Sequence, residues 1–306
     1  MNFKSLPQLL DHFKEESTCI AYYEQLRWNG KPVCPHCGTD TIPYKTNRGY
    51  KCSDKDCAKK FTVKVGTIFE NSKIHFRIWF GAIFLATNHK KGISSLQLAS
   101  DLNITQKTAW FVLHRIREML KESAPAMLGG NGGMVEADET YIGGKTINKH
   151  ESKIVRNENG VALDVKQVVL GVIERNGKVV LKHINSASSD NMVPFIQKTV
   201  QSGSRIITDE SRVYTTLHHS YTHNKVNHTL KVYVDGDSHT NTIENFWSVL
   251  KRGLNGTYHS VSEKHLERYL NEFANRFNER KATSQERFEK FLNQSDRRLS
   301  YKKLIA

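Results

Sequence analysis

Apolar residues recur with helical spacing in the first part of this chain and with mixed strand and helix spacing in the second. Steps of three or four residues between apolar positions are typical of helices that bury one face, whereas short β-branched runs are typical of strands. The two parts meet at residues 123–133 (SAPAMLGGNGG), which contain four glycines and one proline and have no periodicity. Such a composition predicts a linker between two folded regions.

The first region predicts mainly helices. An aromatic-rich helix is expected over residues 73–88, a stretch too short to span a bilayer. A later helical pattern divides at Asn103-Ile104 into two helices, the first capped by Ser94 or Ser95 and the second by Thr105. Two helices joined by a turn of three or four residues match a helix-turn-helix. Any hairpin of two helices shares this spacing, so that alternative stays open.

The second region predicts strands alternating with helices. Asn176-Gly177 lies between two β-branched runs, which is a strong hairpin signal. The other expected elements are a strand from Met134, a polar insertion over 144–164, strands at 205–208 and 230–234, and helices near 189–201, 241–254 and 262–278. Ser260 and Glu263 have the spacing of a capping box for the last helix. A hairpin-led mixed sheet flanked by helices predicts an α/β sandwich with a strand order compatible with the RNase H-like fold.

Composition indicates a folded protein with a polyanionic partner. The chain has 306 residues, 38% of them hydrophobic, and 45 Lys and Arg against 31 Asp and Glu give a net charge of +14. Surplus Lys and Arg gain affinity for nucleic acid by displacing counterions, although a generally basic surface is the alternative. No run approaches the ~18 apolar residues of a membrane span or resembles a signal peptide, so a soluble, intracellular protein without a membrane partner is expected.

Four of the five cysteines form one motif. Cys34, Cys37, Cys52 and Cys57 follow the pattern C-x2-C-x14-C-x4-C. Four thiolates at this spacing suit one tetrahedral zinc ion in a zinc ribbon, and a closed shell of this kind stabilises the fold without catalysing. Two disulfides are the alternative, which an intracellular chain disfavours. His36 lies between two of the expected ligands and could replace one.

Polar side chains surround the apolar face of the second helix of the predicted helix-turn-helix. They are Gln106, Lys107, Thr108, Trp110, His114, Arg115 and Arg117. A recognition helix presents such residues to DNA, and basic residues also crowd the zinc motif. We therefore expect DNA contacts from Gln106, Lys107, Thr108, Trp110 and Arg115.

Three acids occupy positions that packing alone does not explain. Asp138 lies in a predicted strand, beside Glu136 and Glu139, where the accumulated negative charge favours a bound cation. Asp209 ends the strand RIIT, and ligands gather at the carboxyl ends of strands in α/β sheets. Glu244 lies in the first turn of a helix, where a favourable interaction with the helix dipole is the alternative explanation.

The helix that contains Glu244 has two distinct faces. On a helical wheel, Asn241, Glu244, Ser248 and Lys251 share a polar face opposite an apolar stripe. Carboxylate ligands suit hard cations such as Mg²⁺ or Mn²⁺, and two such ions can activate a water or 3′-hydroxyl and stabilise the leaving oxygen of a phosphodiester. Asn241 and Asn245 flank Glu244 and are alternative third ligands.

The chain resembles a known family in four blocks: CPHCG with the later cysteine pair, VEADETYIGG, ITDESRVY, and HTNTIENFWSVLKRGLNGTYHSVSEKHLERYLNEFANRFN. They are similar to DDE-type transposases of bacterial insertion sequences, in the group with an N-terminal zinc ribbon and an ISXO2-like catalytic domain. The resemblance covers approximately residues 15–295. It implies an RNase H-like core in which Asp138, Asp209 and Glu244 hold two divalent ions, with Lys251 contacting DNA nearby.

The sequence thus predicts a transposase that binds the terminal inverted repeats of its element and joins them to target DNA. Lys251 and Arg252 are expected to contact that DNA. Pairing of two double-stranded ends suggests at least a dimer on DNA. The expected location is the bacterial cytoplasm, with nucleoid association when the protein is bound to DNA. A DNA-binding regulator with an inactive RNase H-like domain, and a nuclease without strand transfer, are the alternatives.

Domain boundaries follow from these patterns. They are residues 1–70 for an N-terminal helix and zinc ribbon, 71–125 for the helix-turn-helix, 126–133 for the linker, 134–290 for the catalytic domain and 291–306 for a C-terminal tail.

Overall fold

We describe the protein from a computed structural model, which covers residues 3–121, 127–144, 146–148, 150–163, 165–226 and 237–305. Within these ranges the chain forms two compact units. The terminal unit combines the segment up to Lys121 with Glu279–Ala306, and the central unit spans Glu122–Asn278. Each unit buries its own hydrophobic core.

The terminal unit consists of helices and a small antiparallel sheet. Its helices are α1 (Leu6–His12), α2 (Glu16–Trp28), α3 (Phe76–Asn88), α4 (Ser95–Leu102), α5 (Gln106–Met119), α9 (Ser284–Asn293) and α10 (Tyr301–Ile305), and its strands are β1 (Tyr44–Thr46), β2 (Gly49–Lys51) and β3 (Lys60–Phe61). Ten of the 13 residues of α3 are buried. An aromatic helix with almost no polar face is stable in water only at the centre of a core, which is where α3 lies.

Helix α9 corrects the expected C-terminal boundary. Phe288, Phe291 and Leu292 are at most 2% exposed and belong to the same core cluster as α3. The predicted catalytic domain over 134–290 and the predicted tail over 291–306 are therefore wrong, because the chain leaves the central unit at Asn278 and α9 completes the terminal unit. A helical period reveals that a helix buries one face, but not which partner covers it.

The predicted division of the first region at residue 70 is also wrong. Val63, Ile68 and Phe69, which follow the cysteine motif, pack in one cluster with helices α1 to α5. The ribbon itself has only a small core, built on Cys34, Cys52 and Phe61. So small a module is stabilised by the helices against which it packs.

Helices α4 and α5 form as the sequence predicts, separated by three residues. Ser94 caps α4 by accepting from the Gln97 N–H, and Thr105 caps α5 by accepting from the Thr108 N–H. Asn103 ends α4 in the left-handed conformation, with φ of 50°. Asparagine tolerates this conformation better than most residues, and it gives the turn its sharp change of direction.

The central unit is a sheet covered by helices on both faces. Its strands are β4 (Met134–Ile142), β5 (Gln167–Glu174), β6 (Val179–Ile184), β7 (Arg205–Asp209) and β8 (Thr222–Val226), and its helices are α6 (Ser189–Thr199), α7 (Asn241–Gly253) and α8 (Glu263–Asn278), with a π-helical turn at Leu254–Tyr258. The order is β6-β5-β4-β7-β8; β4, β5 and β6 are antiparallel neighbours, and β4, β7 and β8 are parallel ones. The protein is therefore an α/β fold with a mixed sheet.

Alternate residues of the strands pack into two separate hydrophobic cores, one on each face of the sheet. Val135 and Ala137 of β4 face a cluster with Met192 and Ile196 of α6. The opposite face packs against α7 and α8, through a cluster that includes Trp247. The period of two residues in a strand gives this division, and it decides which acids of β4 face α7.

The residues expected to form a linker are tied to the central unit. Leu128 is 1% exposed and pairs with Val200, and the Gly130 N–H donates to Ser204 Oγ at 2.8 Å. A Cβ at Gly129 would lie 2.3 Å from Ser204 Oγ, so glycine is needed there for close packing and not for flexibility. Residues 127–133 are therefore no linker, which corrects the expectation.

Several local predictions have different outcomes. The hairpin turns at Asn176, as expected, with φ of 60°. Helix α8 begins at Glu263, three residues beyond Ser260, so these two residues do not form the predicted capping box. The strand predicted at 230–234 lies outside the described residues, and β8 was not predicted. Over the described ranges, no helix combines the length and apolar character needed to cross a bilayer.

Candidate functional site

The four cysteines of the ribbon converge on one point. Their Sγ atoms all lie within 4.8 Å of one another, with Cys34 Sγ 3.8 Å from Cys57 Sγ and Cys37 Sγ 3.6 Å from Cys52 Sγ. Four sulfurs placed about 2.3 Å from a tetrahedral zinc would be ~3.8 Å apart, so this set fits that ion. His36 is exposed and not part of the cluster.

The same distances exclude the disulfide alternative. A disulfide requires a sulfur separation near 2.05 Å, and all four cysteines are free thiols here. Burial tends to raise the pKa of the Cys34 thiol, but N–H groups of His36 and Cys37 aimed at its sulfur lower it to about 7. Zinc binds thiolates, so these donors favour the ligating form of Cys34, whereas burial raises the pKa of the Cys52 thiol to about 12.

The ribbon carries an exposed basic surface. Its exposed cations are Lys45, Arg48, Lys51, Lys55, Lys59 and Lys60. Lys64 is different, because its Nζ donates to the Ile74 carbonyl at 3.0 Å and lies 4.8 Å from the centre of the Phe76 ring. It therefore stabilises the entry to α3, whereas the exposed cations can contact phosphates.

The predicted recognition residues divide into an accessible group and a buried one. Gln106 and Lys107 at the start of α5 are exposed, and Thr108 and Trp110 are half-buried. Arg115 is 4% exposed, and its guanidinium donates to the carbonyls of Ile68, Glu70 and Leu299. The expected DNA contact from Arg115 is therefore wrong, because this side chain joins segments of the terminal unit.

Asp138 and Asp209 come from adjacent parallel strands. Met134 to Glu136 of β4 pair with Arg205 to Ile207 of β7. Continuing this register by two residues brings Asp138 level with Asp209, at the carboxyl end of β7. Asp138 lies within β4, which continues to Ile142, whereas Asp209 ends β7. The parallel register places the two acids side by side at the carboxyl end of β7, where ligands gather in α/β sheets.

Burial and like charge raise the pKa of Asp138. The pKa reaches about 7, mainly because the carboxyl is buried and additionally because Glu139 and Asp209 are close. Glu139 projects from the other face of β4, where Tyr214 donates to its Oε2 at 2.6 Å; burial raises its pKa too. A divalent cation would relieve the repulsion between Asp138 and Asp209, so the oxygens of these two acids fit a hard metal ion.

Glu244 lies on the exposed face of α7, one turn from the beginning of the helix. Its Oε1 accepts a hydrogen bond from Thr240 Oγ1 at 2.7 Å. Among the described residues, the three predicted catalytic carboxylates do not form a cluster with all ligand oxygens within 4.8 Å; the cysteines form the only such group. Lys251 and Arg252 lie further along α7 and are exposed.

Sequence reasoning missed the role of Glu136. This residue is fully buried, and Arg175 Nε donates to its Oε1 at 2.8 Å. Its Oε2 accepts from the Ile243 N–H at 3.0 Å, and Thr242 Oγ1 donates to Oε1 at 2.8 Å. The expected cation beside Glu136 is thus a guanidinium, and the carboxylate fixes the first turn of α7.

Trp247 also has a role that a helical wheel does not reveal. Its Nε1 donates to Asp138 Oδ2 at 2.9 Å, although the ring belongs to the core. A Cβ at Gly171, which pairs with Asp138 across β4 and β5, would lie 2.5 Å from this ring. Glycine therefore makes room for the indole that orients the acid.

Comparison with known proteins identifies the class. Residues 129–278 match the model of an ISXO2-like transposase domain, and residues 14–60 match a transposase zinc-ribbon domain. A protein in the transposable element ISH50 of Halobacterium salinarum is 26% identical over 274 residues, 85% of this chain and 90% of its own length. A transposase-like protein of Haemophilus influenzae is 32% identical over 108 residues, 35% of this chain and 84% of its own.

These matches define a transposase-family protein. More narrowly, the chain belongs to the insertion-sequence family that joins a zinc ribbon to an ISXO2-like transposase domain. Solved structures with a weak likeness include the Mos1 strand transfer complex, at TM-score 0.23 and 13% identity over 68% of this chain and 75% of that one. The Mos1 paired-end complex with Mn has a TM-score of 0.25 and 12% identity over 66% and 71%.

Proposed function

We propose that this protein is a DNA transposase that cleaves the ends of its insertion sequence and transfers them to target DNA. The observation that carries the proposal is the pair Asp138 and Asp209, held side by side in a transposase-family domain. A protein that only bound DNA would gain by avoiding acids beside phosphates. The strand order, with three antiparallel strands followed by two parallel ones, supports an RNase H-like core.

The carboxylates of Asp138, Asp209 and Glu244 would hold Mg²⁺ or Mn²⁺. Two such ions supply charge stabilisation to the phosphodiester and acidify a bound water or 3′-hydroxyl. Asp138 is oriented for this task by Trp247 Nε1, and Asp209 by the Ser211 N–H, which donates to its Oδ1 at 3.1 Å. Glu244 joins them by leaving its hydrogen bond with Thr240.

DNA would be bound by three surfaces. Zinc held by the four cysteines keeps the ribbon folded, so that its exposed cations contact phosphates. Gln106, Lys107, Thr108 and Trp110 of α5 would contact the terminal inverted repeat as part of a helix-turn-helix. Lys251 and Arg252 would contact the backbone near the cleaved bond. Pairing of two ends requires at least a dimer, acting on DNA in the bacterial cytoplasm.

Asp209→Asn tests the proposal. The element's own inverted repeats, taken from the DNA that flanks the gene, are labelled and incubated with target plasmid and Mg²⁺. We expect the variant to lose strand transfer at least 10²-fold because one cation ligand is lost, with end binding unchanged within about twofold. Asp190→Asn, an exposed acid in α6, is the matched control and should behave as wild type.

The products also separate the alternatives. Joined DNA indicates a transposase, cuts alone indicate a nuclease, and a gel shift without products indicates a regulator. Normal integration by Asp209→Asn would contradict the assigned site.

A further inference from the structure

A cavity of about 240 Å³ lies in the central unit, beside the end of β4 and the end of α7. Ile142, Leu254, Val261 and Leu266 form apolar walls. Gln167, Asn255, His259, Ser260 and Glu263 add polar groups to it. Such a combination of apolar walls and a few polar groups is typical of small-molecule sites.

The backbone that encloses this cavity is irregular. After α7, the chain continues as a π-helical turn over Leu254–Tyr258, and His259 then has φ of 58° and ψ of −49°. The Ser260 N–H donates to the Tyr258 carbonyl at 2.6 Å, which makes His259 the centre of a γ-turn. This turn is rare and strained for a residue with a side chain, and both it and π-turns concentrate at functional sites.

A polar stripe connects the carboxylates to the cavity. Glu244, Ser248, Lys251 and Asn255 follow one another at steps of four, three and four residues, which keeps them on one face. The first three are exposed, and Asn255 lines the cavity. DNA lying along Lys251 on this face would therefore pass the cavity.

The spacing of residues along β4 gives the distance between Asp138 and the cavity. The Ile243 N–H donates to Glu136, and Trp247 Nε1, further along α7, donates to Asp138, further along β4. Helix α7 therefore runs in the same direction as β4. Asp138 and Ile142 are four residues apart, or ~13 Å at the strand rise of about 3.3 Å. At ~3.4 Å per nucleotide of a duplex strand, this is about four nucleotides.

The charge of the lining indicates which part of a nucleotide fits. None of the described lining residues is Lys or Arg, and Glu263 contributes a carboxylate, which disfavours a phosphate. Amide, hydroxyl and carboxylate groups instead match the edge of a base, and carboxylates accept from exocyclic amino groups. The apolar walls can cover the faces of a planar ring.

We propose that this cavity, the base pocket, takes one unpaired nucleobase of the bound DNA, about four nucleotides from the phosphate at Asp138 and Asp209. The inference rests on the proposed function. Lys251 and Arg252 hold the backbone while the base leaves the stack, and the captured base fixes which phosphate reaches the carboxylates. Enzymes that extrude a base read it in the same way, by its edge and its faces.

Fluorescence of 2-aminopurine tests the proposal. The analogue is placed singly at positions one to eight from the cleaved end, on either strand, and each duplex is bound in Ca²⁺ to prevent cleavage. The fluorescence of 2-aminopurine rises when the base unstacks, and the described lining residues include no Trp, Tyr or Phe to quench it. We expect one position, three to five nucleotides from the cleaved bond, to brighten at least threefold.

Two variants test whether the increase in 2-aminopurine fluorescence comes from the base pocket. Asn255→Leu and Glu263→Gln change its lining without touching the proposed catalytic residues. Each should reduce the enhancement to less than half and broaden the choice of cleaved phosphate in Mg²⁺, with end affinity within about twofold. Glu158→Gln, an exposed acid outside the pocket, is the matched control and should keep the full enhancement.

The outcomes separate this inference from the proposed function. Two results would contradict the base pocket while leaving the proposed transposase function intact. In the first, the ends are cleaved in Mg²⁺ but 2-aminopurine does not brighten at any position. In the second, 2-aminopurine brightens with both variants as it does with the wild type. If the protein neither binds nor cleaves the ends, the proposed function fails, and the base pocket fails with it.

Discussion

Asp138 illustrates how the surroundings of one residue would prepare it for the proposed cation. Its carboxylate is partly buried, near Glu139 and Asp209. Desolvation and these two charges raise its pKa to about 7, while the Trp247 N–H opposes that rise. The neighbours thus disfavour a bare charge, and the indole fixes the direction of the carboxylate. Orientation of a ligand by an outer hydrogen bond is the usual way in which proteins tune metal sites.

Trp247→Phe should therefore impair cleavage without unfolding the protein. The ring remains in the core, but the Nε1 donor to Asp138 is lost, and we expect Mg²⁺-dependent cleavage to fall about 10- to 100-fold. Trp79→Phe is the matched control, because Trp79 is also buried and its Nε1 donates to Ser72 Oγ, in the terminal unit. Equal cleavage by wild type and Trp247→Phe would contradict the orienting role.

His223 predicts a pH dependence of stability. Burial, with repulsion from Lys225 and His218, lowers the pKa of its imidazole from 6.5 to about 4. Between these values the unfolded chain binds more protons than the folded one, so stability is complete above pH 6.5 and falls as pH drops towards 4. For a half-buried ring the loss is about 1–2 kcal/mol.

His223→Gln should remove this part of the acid sensitivity. Thermal unfolding of the wild type and the variant is compared from pH 4 to 7. The difference between them should change by about 2–4 °C over that range. A constant difference would show that the imidazole is not held neutral in the folded protein.

At the scale of elements, the beginning of α7 depends on a contact made outside the helix. Glu136 on β4 binds the Ile243 N–H and Thr242, and Arg175 ties Glu136 to the segment before the helix by donating to the carbonyls of Asp237 and His239. A carboxylate at a helix N-terminus is favourable because the first N–H groups lack partners within the helix. This clamp fixes the helix that carries Glu244.

Removing the Arg175 guanidinium while Glu136 remains should lower the free energy of unfolding substantially. Arg175→Gln leaves the Glu136 charge buried without its guanidinium, and we expect a loss of about 3–5 kcal/mol in unfolding free energy. The double variant Glu136→Gln, Arg175→Gln should lose less than the sum of the two single variants. Asp237→Asn, which breaks an ion pair with Arg205 whose acid is 59% exposed, is the control and should cost less than about 1 kcal/mol.

Elements with strong local signals were predictable from the sequence. The hairpin at Asn176, α7 and α8 follow from turn chemistry and apolar periodicity, and so do the caps Ser94 and Thr105. Arg115 was not predictable, because a helical period shows that it lies off the apolar stripe but not that distant carbonyls surround it. The Glu136 clamp was missed for the same reason.

At the scale of the whole molecule, the terminal unit is assembled from both ends of the chain. The aromatic rings of Phe3, Phe13, Phe80 and Phe288 meet in its core. The zinc motif belongs to this unit, whereas the acids belong to the central unit. The two candidate metal sites therefore depend on different cores, and they can be disabled separately.

Removal of zinc should weaken end binding and leave the central unit folded. Cys52→Ala, or chelation of the wild type, removes the ion that holds the ribbon, and we expect affinity for the ends to fall about tenfold or more. Zinc content should fall from one ion per chain to none. The unfolding transition of the central unit should not move.

Cys19→Ala is the control for this experiment, because Cys19 is buried in α2 and lies outside the four-cysteine cluster. It should retain one zinc ion and full affinity. Undiminished end binding by zinc-free protein would contradict the role given to the ribbon.

The split terminal unit has a consequence for synthesis of the protein. A ribosome that has completed the central unit has still not supplied Phe288, Phe291 or Leu292, which close the aromatic core of the terminal unit. Products that stop at Asn278 would carry every proposed catalytic acid but expose that core to chaperones and proteases. Folding of the terminal unit therefore requires translation beyond Leu292, well after the central unit has been completed.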